Sequence, residues 1–177
     1  MKVVINDYDI ATWFVVAFEE EFVSNIHNVI YTGAGKINAA MATQWLIDNY
    51  CVNRIINIGT AGGNPNKVEK DVIYKVGKVI DRDWKIPGCI YPEILVSDQE
   101  NSKICYTGDS FVMNWDNDFE LVDMESYAIA KVCNDPENQT PFDCYKYISD
   151  TGSDEDWNKS LVKCNAAFNL MFEDKME

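Results

Sequence analysis

Two carboxylates in this chain close apolar runs. Leu121 and Val122 lead into Asp123, Met124 and Glu125, and 25 residues after Glu125 the run Tyr145 to Ile148 leads into Ser149 and Asp150. Short apolar runs of this kind read as buried strands. In α/β proteins ligands bind outside the carboxyl ends of strands, which puts Glu125 and Asp150 where chemistry is done. Such a pair suggests one group that accepts hydrogen bonds from a sugar and one that donates a proton. The plain alternative for either residue alone is a helix N-cap or a solvated loop charge. A third element adds weight. Ile55-Ile56-Asn57-Ile58 is a strand-like run into Gly59-Thr60-Ala61-Gly62-Gly63, a small-residue turn where absent side chains let a ligand approach the backbone.

Gly33-Ala34-Gly35-Lys36 matches neither common phosphate loop. A Walker loop requires Gly at 30 and Ser or Thr at 37, where this chain has Ile30 and Ile37. The dinucleotide fingerprint requires a third glycine where Asn38 stands. What remains is a glycine turn feeding a helix N-terminus, a site for an anion or a water. His27, the only histidine, lies outside these motifs and reads as structural. Without a Cys/His cluster no metal site is expected.

The elements that would position these groups alternate between strand and helix, which argues for an α/β layered fold. Val3 to Ile5 reads as a short strand and residues 6–9 as a turn. Trp13 to Phe18 is a buried strand running into Glu19-Glu20-Glu21, and Asn28 to Tyr31 is a short strand. Ile37, Ala40, Met41 and Trp45 fall at helical spacing, so residues 36–49 are expected to be a helix. Strands follow over Arg54 to Ile58, Val72 to Ile80 and Lys103 to Tyr106, with a helix over Ala128 to Val132. Residues 81–99, with Pro87, Gly88 and Pro92, read as one long loop of the kind that tends to be functional. The last helix is expected to open at Ser153, with acidic residues in its first turn. Its stripe of Trp157, Leu161, Cys164, Phe168 and Met171 is core packing.

At 177 residues the chain is one domain with room for a real core. Its 29 acidic against 15 basic residues give a net charge of −14. That charge repels nucleic-acid backbones and anionic membranes, so neither is expected as a partner. The six cysteines show no CxxC pair. With no signal peptide evident, they predict free thiols in a reducing cytoplasm, and no apolar run reaches transmembrane length.

Thr32 to Ala40, Asn57 to Gly63, Thr107-Gly108-Asp109-Ser110-Phe111, Val122 to Ala128 and Ile148 to Asp150, taken in that order, resemble the nucleoside phosphorylase/nucleosidase superfamily. Within it they are similar to the 5′-methylthioadenosine/S-adenosylhomocysteine nucleosidases. The likeness spans roughly residues 17 to 157. It implies a three-layer α/β/α sandwich around a central mixed β-sheet, trimmed relative to longer family members, as a single domain over 1–177. It implies a purine nucleoside as the small-molecule partner, no cofactor and a homodimer.

The same resemblance assigns roles. Glu125 would hold the ribose 2′- and 3′-hydroxyls, bonds that strengthen as the ring becomes oxocarbenium-like. Met124 would pack on the sugar, with a core methionine as its alternative. Asp150, oriented by Ser149, would protonate the purine at N7, and to do so it has to be buried. Glu21, ending the run Ala17-Phe18-Glu19-Glu20-Glu21, would be the base for the attacking water; its alternative is a solvated helix start. Phe111 would stack on the purine beside Val112, and Gly33, Thr60, Ala61 and Gly62 would surround the nucleophile. Phosphate as nucleophile demands cationic donors. The bacterial phosphorylases carry an Arg two residues before the turn glycine, and here that position is Asn57. The chain's two arginines, Arg54 and Arg82, match no phosphate position, so water is the expected nucleophile. A phosphorolytic enzyme, with Lys36 or Arg82 supplying charge, and a nucleoside-binding protein that has lost catalysis stand as rival readings.

Overall fold

The computed structural model describes the chain apart from residues 7–11, 114, 116, 117, 153 and 174–177. In chain order the strands are β1 (Lys2–Val4), β2 (Thr12–Val16), β3 (Asn28–Tyr31), β4 (Arg54–Gly63), β5 (Ile73–Asp81), β6 (Glu93–Leu95), β7 (Lys103–Thr107), β8 (Leu121–Asp123) and β9 (Phe142–Asp150). The helices are α1 (Lys36–Asn49), α2 (Ser126–Cys133) and α3 (Asp154–Glu173), with a 3-10 turn over Glu19–Glu21.

β2 lies between β3 and β4, parallel to both. Residues 13–16 and all of β3 are buried, as expected of parallel strands covered on both faces. Alternation along β2 decides which layer each residue meets. Trp13 and Val15 face α1 and α2, packing with Ile30, Ala42, Leu46 and Ile129. Phe14 and Val16 face α3, packing with Phe22, Phe168 and Phe172. His27 joins this second core, its ring 4.8 Å from Phe14, in keeping with a structural role. The helices thus cover both faces of a mixed sheet, in the expected three layers.

The far half of the sheet closes on itself. β4 pairs with β8, β8 with β7, β7 with β5, β5 with β9 and β9 again with β4. The strands depart from the sequence reading in two places. β4 continues through Gly63 instead of turning after Ile58, because β9 pairs with it from Ile55 to Gly62 and β8 takes Gly62 and Gly63. Gly63 is small for packing reasons: a Cβ there would sit 2.5 Å from Val68 Cγ2 and 2.7 Å from Ile148 Cγ2. The expected 81–99 loop likewise contains β6, which extends the sheet antiparallel to β5.

Two helical faces also differ. α1 buries Ala39, Ala42, Thr43 and Leu46, whereas Ile37 and Met41 from the expected stripe are 73% and 68% exposed. Apolar residues occupy both flanks of α1, so spacing alone could not identify the inner one. In α3 Cys164 and Phe168 are buried, while Trp157, Leu161 and Met171 are half-buried. The expected opening at Ser153 and most of the 6–9 turn lie outside the described residues. All six cysteines are free thiols, four of them buried. No described helix is long and apolar enough to cross a membrane.

Candidate active site

A cavity of about 390 Å³ opens where β2, β4, β8 and β9 end. Glu21, Glu125 and Asp150 all line it, although they come from three separate stretches of chain.

Glu21 closes the 3-10 turn after β2. Its two neighbours Glu19 and Glu20 are exposed, but Glu21 is only 3% exposed, so the solvated alternative does not hold for it. Its Oε1 accepts the Thr60 N–H at 2.8 Å and the Thr60 hydroxyl at 2.6 Å. Its Oε2 accepts the Phe18 N–H at 3.1 Å. Gly59, at φ +154°, lies beside this carboxylate, and a Cβ there would come within 3.2 Å of both oxygens. The glycine is what lets the carboxylate approach β4.

Glu125 stands at the N-cap position of α2, yet its side chain reaches across to accept the Gly35 N–H at 2.8 Å. The next amide, Lys36 N–H, goes to Asp109 Oδ1 at 3.0 Å. The glycine turn therefore presents its leading donors to carboxylates of the protein, not to a free anion. Gly33 does not line the cavity, whereas its neighbour Ala34 does. Burial, reinforced by the nearby Asp123 charge, pushes the Glu125 carboxyl up to about 8.

Asp150 ends β9 and is buried at 2% exposure. The Ser149 hydroxyl donates to its Oδ2 and the Gly152 N–H to its Oδ1, each at 2.9 Å. Both carboxyl oxygens are thus fixed in orientation. Met124, Val112, Phe111, Thr60, Ala61 and Gly62 also line the cavity. Phe111 remains about half exposed.

At the cavity floor, which Asp123 helps line, is a polar cluster that the sequence reading missed. Lys146, in the middle of β9 and 1% exposed, places Nζ 2.9 Å from Asp123 Oδ2. Asp123 also accepts the Thr107 hydroxyl at 2.6 Å, the Ser126 N–H at 2.9 Å and the Ser126 hydroxyl. Burial opposes the charge on Asp123, but Lys146 and these donors outweigh it and hold the carboxyl at about 2. Burial likewise opposes the charge on Lys146, and attraction to Asp123 overrides it and raises the ammonium above its ordinary value. A lysine inside an apolar strand was the available signal, since lysine is almost never fully buried unless paired.

The positions considered for phosphate all have partners within the protein. Asn57 is 1% exposed, does not line the cavity, and donates its amide to Val15 O at 2.9 Å while Ser126 meets its Oδ1. Lys36 Nζ sits 2.9 Å from both Asp81 and Asp83. Arg82 does line the cavity, but its guanidinium donates to Ser110 Oγ at 3.1 Å, to Ser110 O and to Gly108 O at 3.2 Å. Trp157, expected only as core, also lines the cavity and bonds Thr60.

A family model of the phosphorylase superfamily matches residues 22–88. The 5′-methylthioadenosine/S-adenosylhomocysteine nucleosidase of Bacillus cereus (strain G9842) is 30% identical over 165 residues, covering 73% of this chain and 71% of the relative. That of Oceanobacillus iheyensis is 27% identical over 160 residues, covering 72% and 69%. Among solved structures, the Streptococcus pneumoniae 5′-methylthioadenosine/S-adenosylhomocysteine nucleosidase with the transition-state inhibitor MT-ImmA superposes with a TM-score of 0.76 at 20% identity, over 94% of this chain and 99% of that one. The Neisseria meningitidis nucleosidase with methylthio-immucillin-A gives 0.71 at 21% identity, over 89% and 94%.

Proposed function

The chain belongs to the 5′-methylthioadenosine/S-adenosylhomocysteine nucleosidases of the phosphorylase superfamily, and from that premise we propose that it hydrolyses the N-glycosidic bond of 5′-methylthioadenosine, S-adenosylhomocysteine or a related adenosine derivative. The observation that carries this reading is the convergence of Glu21, Glu125 and Asp150 on one cavity.

In this reading the adenine sits against Phe111 and Val112, and Asp150 gives its proton to N7. Protonation turns a poor anionic leaving group into a neutral one, and a positioned acid contributes roughly 10²–10⁴ in rate. As the C1′–N9 bond breaks, the ribose gains oxocarbenium character. Glu125 accepts hydrogen bonds from the 2′- and 3′-hydroxyls, bonds that strengthen as the ring becomes oxocarbenium-like, while Met124 packs on the sugar. Glu21 takes a proton from a water beside Thr60, Ala61 and Gly62, and the water oxygen bonds to C1′. The products are adenine and the free sugar. The enzyme works in the cytoplasm, as one domain over residues 1–177. It acts as a homodimer, for which the exposed Ile37, Met41 and Trp45 face of α1 supplies apolar surface.

The test is incubation with methylthioadenosine, with and without phosphate, resolving adenine, free sugar and sugar-1-phosphate. Equal adenine release in both, with free sugar as co-product, is expected. Sugar-1-phosphate would identify a phosphorylase, and binding without release would identify a protein that has lost catalysis.

A further inference from the structure

Glu21 is held through Thr60, and Thr60 is in turn held by Trp157. The indole Nε1–H donates to Thr60 Oγ at 2.8 Å, and Thr60 Oγ lies 2.6 Å from Glu21 Oε1. An indole nitrogen donates and never accepts, and a hydroxyl has a single proton. With the Trp157 donor on its oxygen, Thr60 turns that proton toward Glu21. Oε1 then receives two donors, the Thr60 hydroxyl and the Thr60 N–H at 2.8 Å. Among the described residues, Oε2 receives only the Phe18 N–H. A carboxylate oxygen has two acceptor sites, so Oε1 is full and Oε2 keeps one open.

We propose that Trp157 is a positioning residue for the hydrolytic step: it fixes the Thr60 hydroxyl so that Glu21 Oε2 alone takes the proton of the attacking water. The inference rests on Glu21 being the base. Trp157 is well placed for this task. It lines the same cavity as Glu21 and Thr60, and its ring stands edge-on to Phe18, 5.9 Å between centroids, a contact that braces the indole. It belongs to α3, the helix that follows Asp150 in the chain, so one connection spans the proton donor and the support of the base.

Trp157→Phe keeps the aromatic ring and removes the N–H. Its kcat should fall about 10-fold, the worth of one hydrogen bond, with KM on methylthioadenosine unchanged, since the bond acts on the water and not on the bound nucleoside. Thr60→Val removes the hydroxyl and keeps the backbone donor. In that background Trp157→Phe should cost nothing further, because both substitutions break the same relay. A kcat within about 2-fold of the parent for Trp157→Phe, or an equal loss in both backgrounds, would overturn the proposal. The second result would assign Trp157 to packing of α3. Glu21→Gln separates the two levels. If it retains turnover, Glu21 is not the base and the relay falls with it. If it is inactive while Trp157→Phe is normal, only the relay is wrong.

Discussion

Lys146 Nζ lies 2.9 Å from Asp123 Oδ2, and both side chains are sealed from water. The two residues sit on β9 and β8, the strands that both pair with the end of β4. Asp123 immediately precedes Met124 and Glu125, and its other oxygen contacts, Thr107 and Ser126, bracket the same turn. The ion pair therefore anchors the segment that carries Glu125, the proposed sugar-binding carboxylate.

Removing one partner of a buried pair leaves an uncompensated charge. Lys146→Met should lower stability by about 3–5 kcal/mol, read from urea unfolding. Combining it with Asp123→Asn should restore part of the loss. A cost below about 1 kcal/mol for Lys146→Met would show that water reaches the site.

The two neighbouring carboxylates should respond to pH with opposite signs. Asp123 is held below the ordinary carboxylate range, so the stability it contributes is present above that range and is lost as pH falls toward about 2. Glu125 is held above that range, so its contribution is present in acid and is lost as pH rises through about 8. Glu125→Gln should abolish only the second loss. Thermal melts of the variant should stay level across neutral pH while the parent declines. Parallel profiles for the two proteins would contradict the assignment.

Asp150→Asn keeps the shape of the proposed acid and loses its transferable proton. Turnover should drop by about 10²–10⁴ while nucleoside binding survives, measured by steady-state kinetics and calorimetry. A substrate whose leaving group needs no protonation should rescue this variant. Glu125→Gln, which meets the sugar before and during the reaction, should lose both binding and turnover and should not be rescued. Near-normal turnover by Asp150→Asn on an adenosine substrate would make Asp150 a structural residue.

The outer face of α1 gives a test of assembly. Sedimentation should return about twice the 20.2 kDa chain mass, and Met41→Lys, which puts a charge on that face, should shift the protein toward monomer. A monomer mass for the parent protein at micromolar concentration would rule out the dimer.

Much of the site was legible from local pattern alone. An apolar run ended by a carboxylate marks a strand end, and Glu125 and Asp150, which follow or close such runs, both line the cavity. The order of motifs also carried the family, because each motif is a short stretch of contiguous residues. Three things depended on tertiary structure. Burial of Glu21 but not Glu19 or Glu20 depends on Gly59 and Thr60 from another strand, and no property of a glutamate triplet marks which member turns inward. Pairing of Lys146 with Asp123 depends on the closed strand circuit, which brings together residues 23 apart in the chain. The inner face of α1 depends on which flank meets the sheet, since both flanks are apolar. Local chemistry is written in neighbouring residues and can be read there. The charge balance and orientation of a buried group are set by contacts between distant segments, and only the folded chain decides them.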